Sequence, residues 1–114
     1  MLTRDELEQL IRKGDVDTVL MVFPDLQGRL VGKRTTGRFF LQSVADAGTE
    51  NCDYLIACDM DNNPVAGYTF TSYEQGYGDM LARADWETVR IIPWVDRTAM
   101  IMCDLLDVTT GELV

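Results

Sequence analysis

The sequence predicts an α+β domain in which a mixed sheet carries helix on one face. Three observations lead there. A capped, amphipathic helix opens the chain, two β-rich runs follow with turn residues between them, and helical and extended patterns then alternate. With 114 residues, 46% hydrophobic and 25% charged, the chain has the length and balance of one globular domain with a single core.

Each element has its own signature. Thr3-Arg4-Asp5-Glu6 is a capping box, in which the Thr3 hydroxyl and the Glu6 carboxylate cover free amides at the helix start. Leu7, Leu10 and Ile11 form a narrow apolar stripe, Arg12 and Lys13 suit the negative end of the helix dipole, and Gly14 offers a stop. Thr18 to Phe23 is β-rich and apolar on both faces, the pattern of a central strand. Pro24-Asp25-Leu26-Gln27-Gly28 is turn chemistry, and Arg29 to Thr35 returns as a more polar strand, closing a hairpin.

Thr36 is placed to cap a second helix, whose Phe40, Leu41, Val44 and Ala45 would face the sheet before Gly48 ends it. Asp53 to Cys58 reads as a third strand. Val65 to Tyr77, rich in Gly, Thr and Tyr, reads as a loop or loose hairpin. Thr88 to Ile92 and Thr98 to Leu105 read as two further strands around Pro93-Trp94. A hairpin, a crossing helix and then more strands make a β-grasp-like mixed sheet, with the short N-terminal helix added to it.

Charge and composition exclude several function classes. A net charge of −9 with no histidine repels a phosphate backbone, and no basic stripe interrupts it, which argues against nucleic acid. The basic residues Arg29, Lys33, Arg34 and Arg38 read as a solvated strand edge. No apolar run approaches the roughly 20 residues of a membrane span, and the N-terminus has no signal-peptide core, so the expected location is cytoplasmic. Cys52, Cys58 and Cys103 are an odd set without Cys-x-x-Cys spacing. On one shared strand Cys52 and Cys58 would stand roughly 20 Å apart, against the about 5.5 Å that a disulfide needs, so buried reduced thiols are expected.

Two motif look-alikes fail on chemistry. Gly28-Arg29-Leu30-Val31-Gly32-Lys33-Arg34 has three residues between its glycines instead of four, and Arg34 replaces the magnesium-binding hydroxyl of a P-loop. Asp59-Met60-Asp61-Asn62-Asn63 begins like a calcium loop, but Pro64 replaces the required glycine and Phe70 the bidentate glutamate. What remains is a pair of carboxylates, Asp59 and Asp61, just past an apolar run and spaced to project the same way, within a good turn sequence. Trp86 and Trp94 read as packing or interface residues. No nucleophile elbow, metal-ligand cluster or histidine base is present, so the chain alone is expected to be inactive.

The second half of the chain is more specific. Asp61-x-x-x-Val65-x-Gly67-Tyr68, then Gly78-Asp79-Met80, then Asp85-x-x-Thr88-x-Arg90-x-x-Pro93-Trp94, ending in Ala99-x-x-x-Cys103-Asp104, resembles the N-terminal domain of the glutamine synthetase family. The hairpin Phe23-Pro24-Asp25-Leu26-Gln27-Gly28-Arg29-x-x-Gly32-Lys33-Arg34 is similar to that of the amine-ligating, γ-glutamylpolyamine synthetase-like branch. The resemblance runs from the first helix to Asp104, and its weight lies in the order and spacing of the pieces.

The resemblance implies that residues 1–114 are a single N-terminal β-grasp domain of a longer ATP-dependent glutamate–ammonia or glutamate–amine ligase. In such enzymes ATP phosphorylates the γ-carboxylate of glutamate, and the amine displaces the phosphate. ATP, glutamate and magnesium or manganese would belong mainly to a C-terminal catalytic domain outside this chain, leaving no cofactor here. The N-terminal domain would lend an acidic loop to the neighbouring subunit in stacked six-membered rings. The partners implied are thus its own catalytic domain, neighbouring subunits, glutamate, and ammonia or an organic amine, with neither nucleic acid nor membrane.

Asp61 matches the family's loop aspartate and takes the catalytic role by this resemblance. Tyr68, standing where ammonia-using members usually have Trp, takes the substrate-binding one. Ala84 replaces a usual Pro, Asn62-Asn63-Pro64 a usual Gly-Ser-Ser, and the stretch from Gly67 to Asp79 is several residues longer than in ammonia-using members. These departures surround the amine pocket and make an organic amine at least an equal candidate. The competing reading is a stand-alone β-grasp module that binds a protein partner through its sheet.

Overall fold

A computed structural model describes residues 1–63, 65 and 78–114. Helix α1 spans Arg4–Lys13 and is punctuated as its sequence predicts. The Glu6 amide donates to Thr3 Oγ1 and the Thr3 amide to Glu6 Oε1, both at 3.1 Å, completing the reciprocal capping box. At the other end Gly14 takes a left-handed φ of 83° and its amide bonds back to the last turn. The Arg97 guanidinium donates to the Gly14 carbonyl and pairs with Asp17 at 3.3 Å, placing positive charge at the negative pole of the helix.

Strand β1 (Thr18–Pro24) pairs with β2 (Leu30–Thr36) in an antiparallel hairpin. It also pairs in parallel with β6 (Thr98–Asp107). Between hairpin and later strands lies α2, Gly37–Phe39, which continues as a π-helical turn through Phe40–Val44. Thr36 caps it, accepting from the Phe39 amide, and the segment closes where the Gly48 amide meets the Val44 carbonyl. Strands β3 (Thr49–Cys52), β4 (Asp79–Ala84) and β5 (Arg90–Ile91) complete the mixed sheet. The strand order is β2-β1-β6-β4-β3, with β5 paired to β6. This is the α+β, β-grasp-like architecture expected from the sequence, with β1 internal, between β2 and β6.

Strand alternation puts one face of the sheet into the core. Val19, Met21 and Phe23 of β1, Ala99, Ile101 and Cys103 of β6, and Met80, Ala82 and Ala84 of β4 form one cluster with Leu7, Phe40 and Val44 of the helices. Trp86 ties this layer together. The Arg4 guanidinium lies 4.6 Å from its ring centroid, and Phe40 meets it edge-on at 5.9 Å. Trp94, in contrast, is exposed in the turn before β6.

Several expectations are corrected. The third strand is Thr49–Cys52, where the chain pairs with β4, and Asp53–Ile56 turns away from that ladder as a 3-10 turn. The span Cys52 to Cys58 is therefore not a strand, although all three thiols are free. Burial raises the Cys58 thiol and pushes Cys103 up to about 12, so both stay protonated near neutrality.

Strand β4 was not expected. Its Met-x-Ala-x-Ala alternation is real, but alanine gives a weak strand signal. Strand β5 keeps only two residues of the expected Thr88–Ile92 run. β4 pairs with residues 103–107 of β6 and β5 with residues 99–100, so the two share β6 as successive, interrupted partners. At the break, the Met102 amide donates to Thr88 Oγ1 at 2.9 Å, a side-chain oxygen standing in for a ladder carbonyl.

Candidate functional site

The acidic loop leaves the 3-10 turn after Cys58 and folds on itself. The Asp59 amide donates to the Asn63 carbonyl at 2.8 Å, and the Val65 amide to the Ala57 carbonyl at 2.7 Å, closing the loop at its base. Asp59 turns its carboxylate inward, where Oδ1 accepts from the Asp61 and Asn63 amides, each at 2.9 Å. Asn62 supplies the left-handed residue of the turn, with φ of 63°. The two aspartates therefore do not act as a pair. Asp59 shapes the loop, while Asp61 is exposed and its carboxylate has no hydrogen-bond or ion-pair partner among the described residues.

The hairpin tip between β1 and β2 grips this loop. Asp25 Oδ1 accepts from the Gln27 and Arg29 amides, each at 2.9 Å, and its Oδ2 meets Arg29 Nε at 2.7 Å. The remaining Arg29 donors reach across to the loop, Nη1 to the Met60 carbonyl and Nη2 to Asn62 Oδ1, both at 3.1 Å. Gln27 Nε2 makes a longer contact, 3.5 Å, to the Cys58 carbonyl. Arg29 is thus not part of a solvated strand edge, a correction to the sequence reading. Lys33 and Arg34 do lie exposed on the edge strand β2. Sequence reasoning missed Arg29 because the groups it bonds lie 31 and 33 residues away.

The electrostatics of the grip follow from its geometry. Burial works against a charge on Asp25, whose side chain is only 4% exposed, but two amides and the Arg29 guanidinium outweigh it and hold the carboxyl below its usual range. A depressed folded-state pKa means the contribution is present above the unfolded value, about 3.9, and is lost as pH falls through the folded one. The Gln27 and Arg29 amide shifts should therefore stay constant from pH 8 to about 5 and move only in stronger acid. A two-dimensional NMR titration checks this, and a transition between pH 5 and 7 would contradict it.

Tyr68 and the Gly67 beside it lie outside the described residues, as does most of the stretch from Val65 to Tyr77. Among the described residues, no group of three His, Cys, Asp or Glu side chains comes together to hold a metal. Among them, no helix is long and apolar enough to cross a membrane.

Comparison with known proteins defines the class. No family model matches the chain. Over 101 residues, 89% of its length, it is 52% identical to the gamma-glutamylethanolamide synthetase of Streptomyces coelicolor. It is 30% identical over 100 residues to a glutamate–isopropylamine ligase of a Pseudomonas species, and 32% over 88 residues to type-1 glutamine synthetase 2 of Dictyostelium discoideum. Among solved structures, GmaS bound to ADP superposes with a TM-score of 0.59 at 20% identity, covering 87% of this chain and 20% of that one. The chain belongs to the glutamine synthetase family, whose members here are glutamate ligases. Within it, the chain is similar to the amine-ligating proteins, and it spans 22% of the length of the first two relatives.

Proposed function

We propose that this chain is the N-terminal domain, residues 1–114, of a longer cytoplasmic ATP-dependent ligase that joins glutamate to an amine, and that it presents Asp61 to the active site of a neighbouring subunit. The observation that carries this reading is the state of Asp61. The side chains of Asp59 and Asn62 are engaged in holding the loop, whereas the exposed Asp61 carboxylate has no partner among the described residues and is available to meet another chain. Exposed apolar side chains on the same two segments, Leu26 and Leu30 on the hairpin and Met60 on the loop, favour a surface that another chain covers.

A carboxylate set against an ammonium group raises its local concentration and helps take the proton that blocks nucleophilic attack. Tyr68 is proposed to shape the same amine pocket. Magnesium or manganese, with ATP and glutamate, is assigned to the catalytic domain, as similarity to glutamate ligases implies. Its partners are then that domain and further subunits in a ring. The high identity to a protein named for ethanolamide formation favours an organic amine over ammonia.

The test is phosphate release by the full-length protein given ATP and glutamate. Addition of ethanolamine should start turnover, with kcat/KM about tenfold or more above that for ammonia, and this 114-residue chain alone should release none. Absence of amine-dependent release from the full-length protein would leave the stand-alone interaction module as the better reading.

A further inference from the structure

Resting on that reading of Asp61, we propose that Arg29 is a positioning residue, which ties the acidic loop to the hairpin and so sets where Asp61 stands. The two loop groups that Arg29 binds, the Met60 carbonyl and Asn62 Oδ1, flank Asp61 directly on both sides. The third donor, Nε, is anchored by Asp25, which is itself held by the Gln27 and Arg29 amides at the end of β1. A chain of direct bonds therefore runs from β1 through Asp25 and Arg29 to both neighbours of Asp61.

The division of labour within the loop makes the inference specific. The Asp59 carboxylate gives the loop its local shape through the Asp61 and Asn63 amides, and that shape does not need Arg29. The base is closed by Ala57 and Val65. Among the described residues, Arg29 contributes the one strong side-chain anchor that joins the crest of the loop to another element, since the Gln27 contact is long. Holding three separate acceptors at once is a task for the forked donors of a guanidinium, and a lysine ammonium on its flexible stem does not reproduce it. Losing this anchor should leave the turn formed but let it swing, and a displacement of about 1 Å suffices to weaken a reacting constellation substantially.

The experiment pairs a motion readout on this chain with kinetics on the full-length protein, using Arg29→Ala and Arg29→Lys beside Asp61→Ala. In both Arg29 variants, 15N order parameters at Met60, Asp61 and Asn62 should fall from about 0.85 to below about 0.6, while β1 and β6 stay rigid. In the full-length protein both should raise the amine KM about tenfold, with the KM for ATP and glutamate held within about twofold. Unchanged order parameters would overturn the inference whatever the kinetics show. A loosened loop with a wild-type amine KM, while Asp61→Ala is impaired, would overturn it and leave the ligase reading standing. A parallel rise in all three KM values would mark Arg29 as merely structural and overturn it too. If Asp61→Ala itself leaves amine use intact, the proposed function fails first and the role of Arg29 falls with it.

Discussion

Asp61→Ala in the full-length protein should, on the proposed ligase reading, lower kcat/KM for the amine by about a hundredfold while leaving the KM for ATP and for glutamate nearly unchanged. The size follows from what a single positioned general base contributes, about two to four orders of magnitude, with the lower end suited to a group that assists an already activated substrate. The selectivity follows from the loop. Asp61 is exposed and accepts no hydrogen bond among the described residues, so its removal leaves the Asp59 turn and the Arg29 anchor in place. Stability should change by no more than about 0.5 kcal/mol, as for an ordinary surface substitution. Asp61→Asn keeps the size and loses the charge, and should be almost as impaired, which separates proton transfer and charge from shape. Steady-state kinetics with each substrate varied in turn decides the matter. An equal loss for all three substrates would remove Asp61 from the amine site.

Gly32→Ala should destabilise the domain by about 2–4 kcal/mol, far more than its place on an edge strand suggests. Gly32 pairs with Val22 across the hairpin, with φ of 152°, outside the range that L side chains favour. A Cβ there would sit 2.0 Å from the Met21 carbonyl oxygen, a backbone atom that no rotamer change can move aside. The strands would have to separate, which would also disturb the Thr35 hydroxyl bond to the Val19 carbonyl and the hairpin that carries Arg29. Gly28→Ala is the control. Its φ of 80° is left-handed, but nothing lies within 4 Å of the added Cβ, so only the conformational cost of about 1–2 kcal/mol applies. Thermal melts at roughly 4 °C per kcal/mol resolve the two, and similar shifts for both would show that the β1–β2 approach is looser than the structure has it.

The same two glycines show how local signals mislead. In the sequence Gly28 and Gly32 look like half of a phosphate loop. In the structure one turns the hairpin and the other lets two strands close, which is why the P-loop spacing fails. The elements read correctly from sequence were those with complete local chemistry. α1 has both caps and its dipole charges within 12 residues, Thr3 to Gly14, and the β1–β2 hairpin has its apolar run, turn and polar return in order. The elements misread were those defined by partners. Residues 53–58 are apolar enough for a strand, but 53–56 close into a 3-10 turn, whereas alanine-rich Asp79–Ala84 becomes a strand because β3 and β6 flank it.

By itself the sequence determined the fold class, the capped first helix, the internal apolar strand and, through the order of its motifs, the family and the loop that carries Asp61. Short-range periodicity and capping settle the first three, because 3.6- and 2-residue repeats are written into consecutive positions. Only the tertiary structure decided which of the two loop aspartates faces outward, and which distant side chain holds the loop there. Those answers depend on hydrogen bonds between Arg29 and residues more than 30 positions away, and on an inward turn of Asp59. Pairings of that kind have no period and no fixed spacing, so they exist only once β1 has brought the hairpin tip beside the loop.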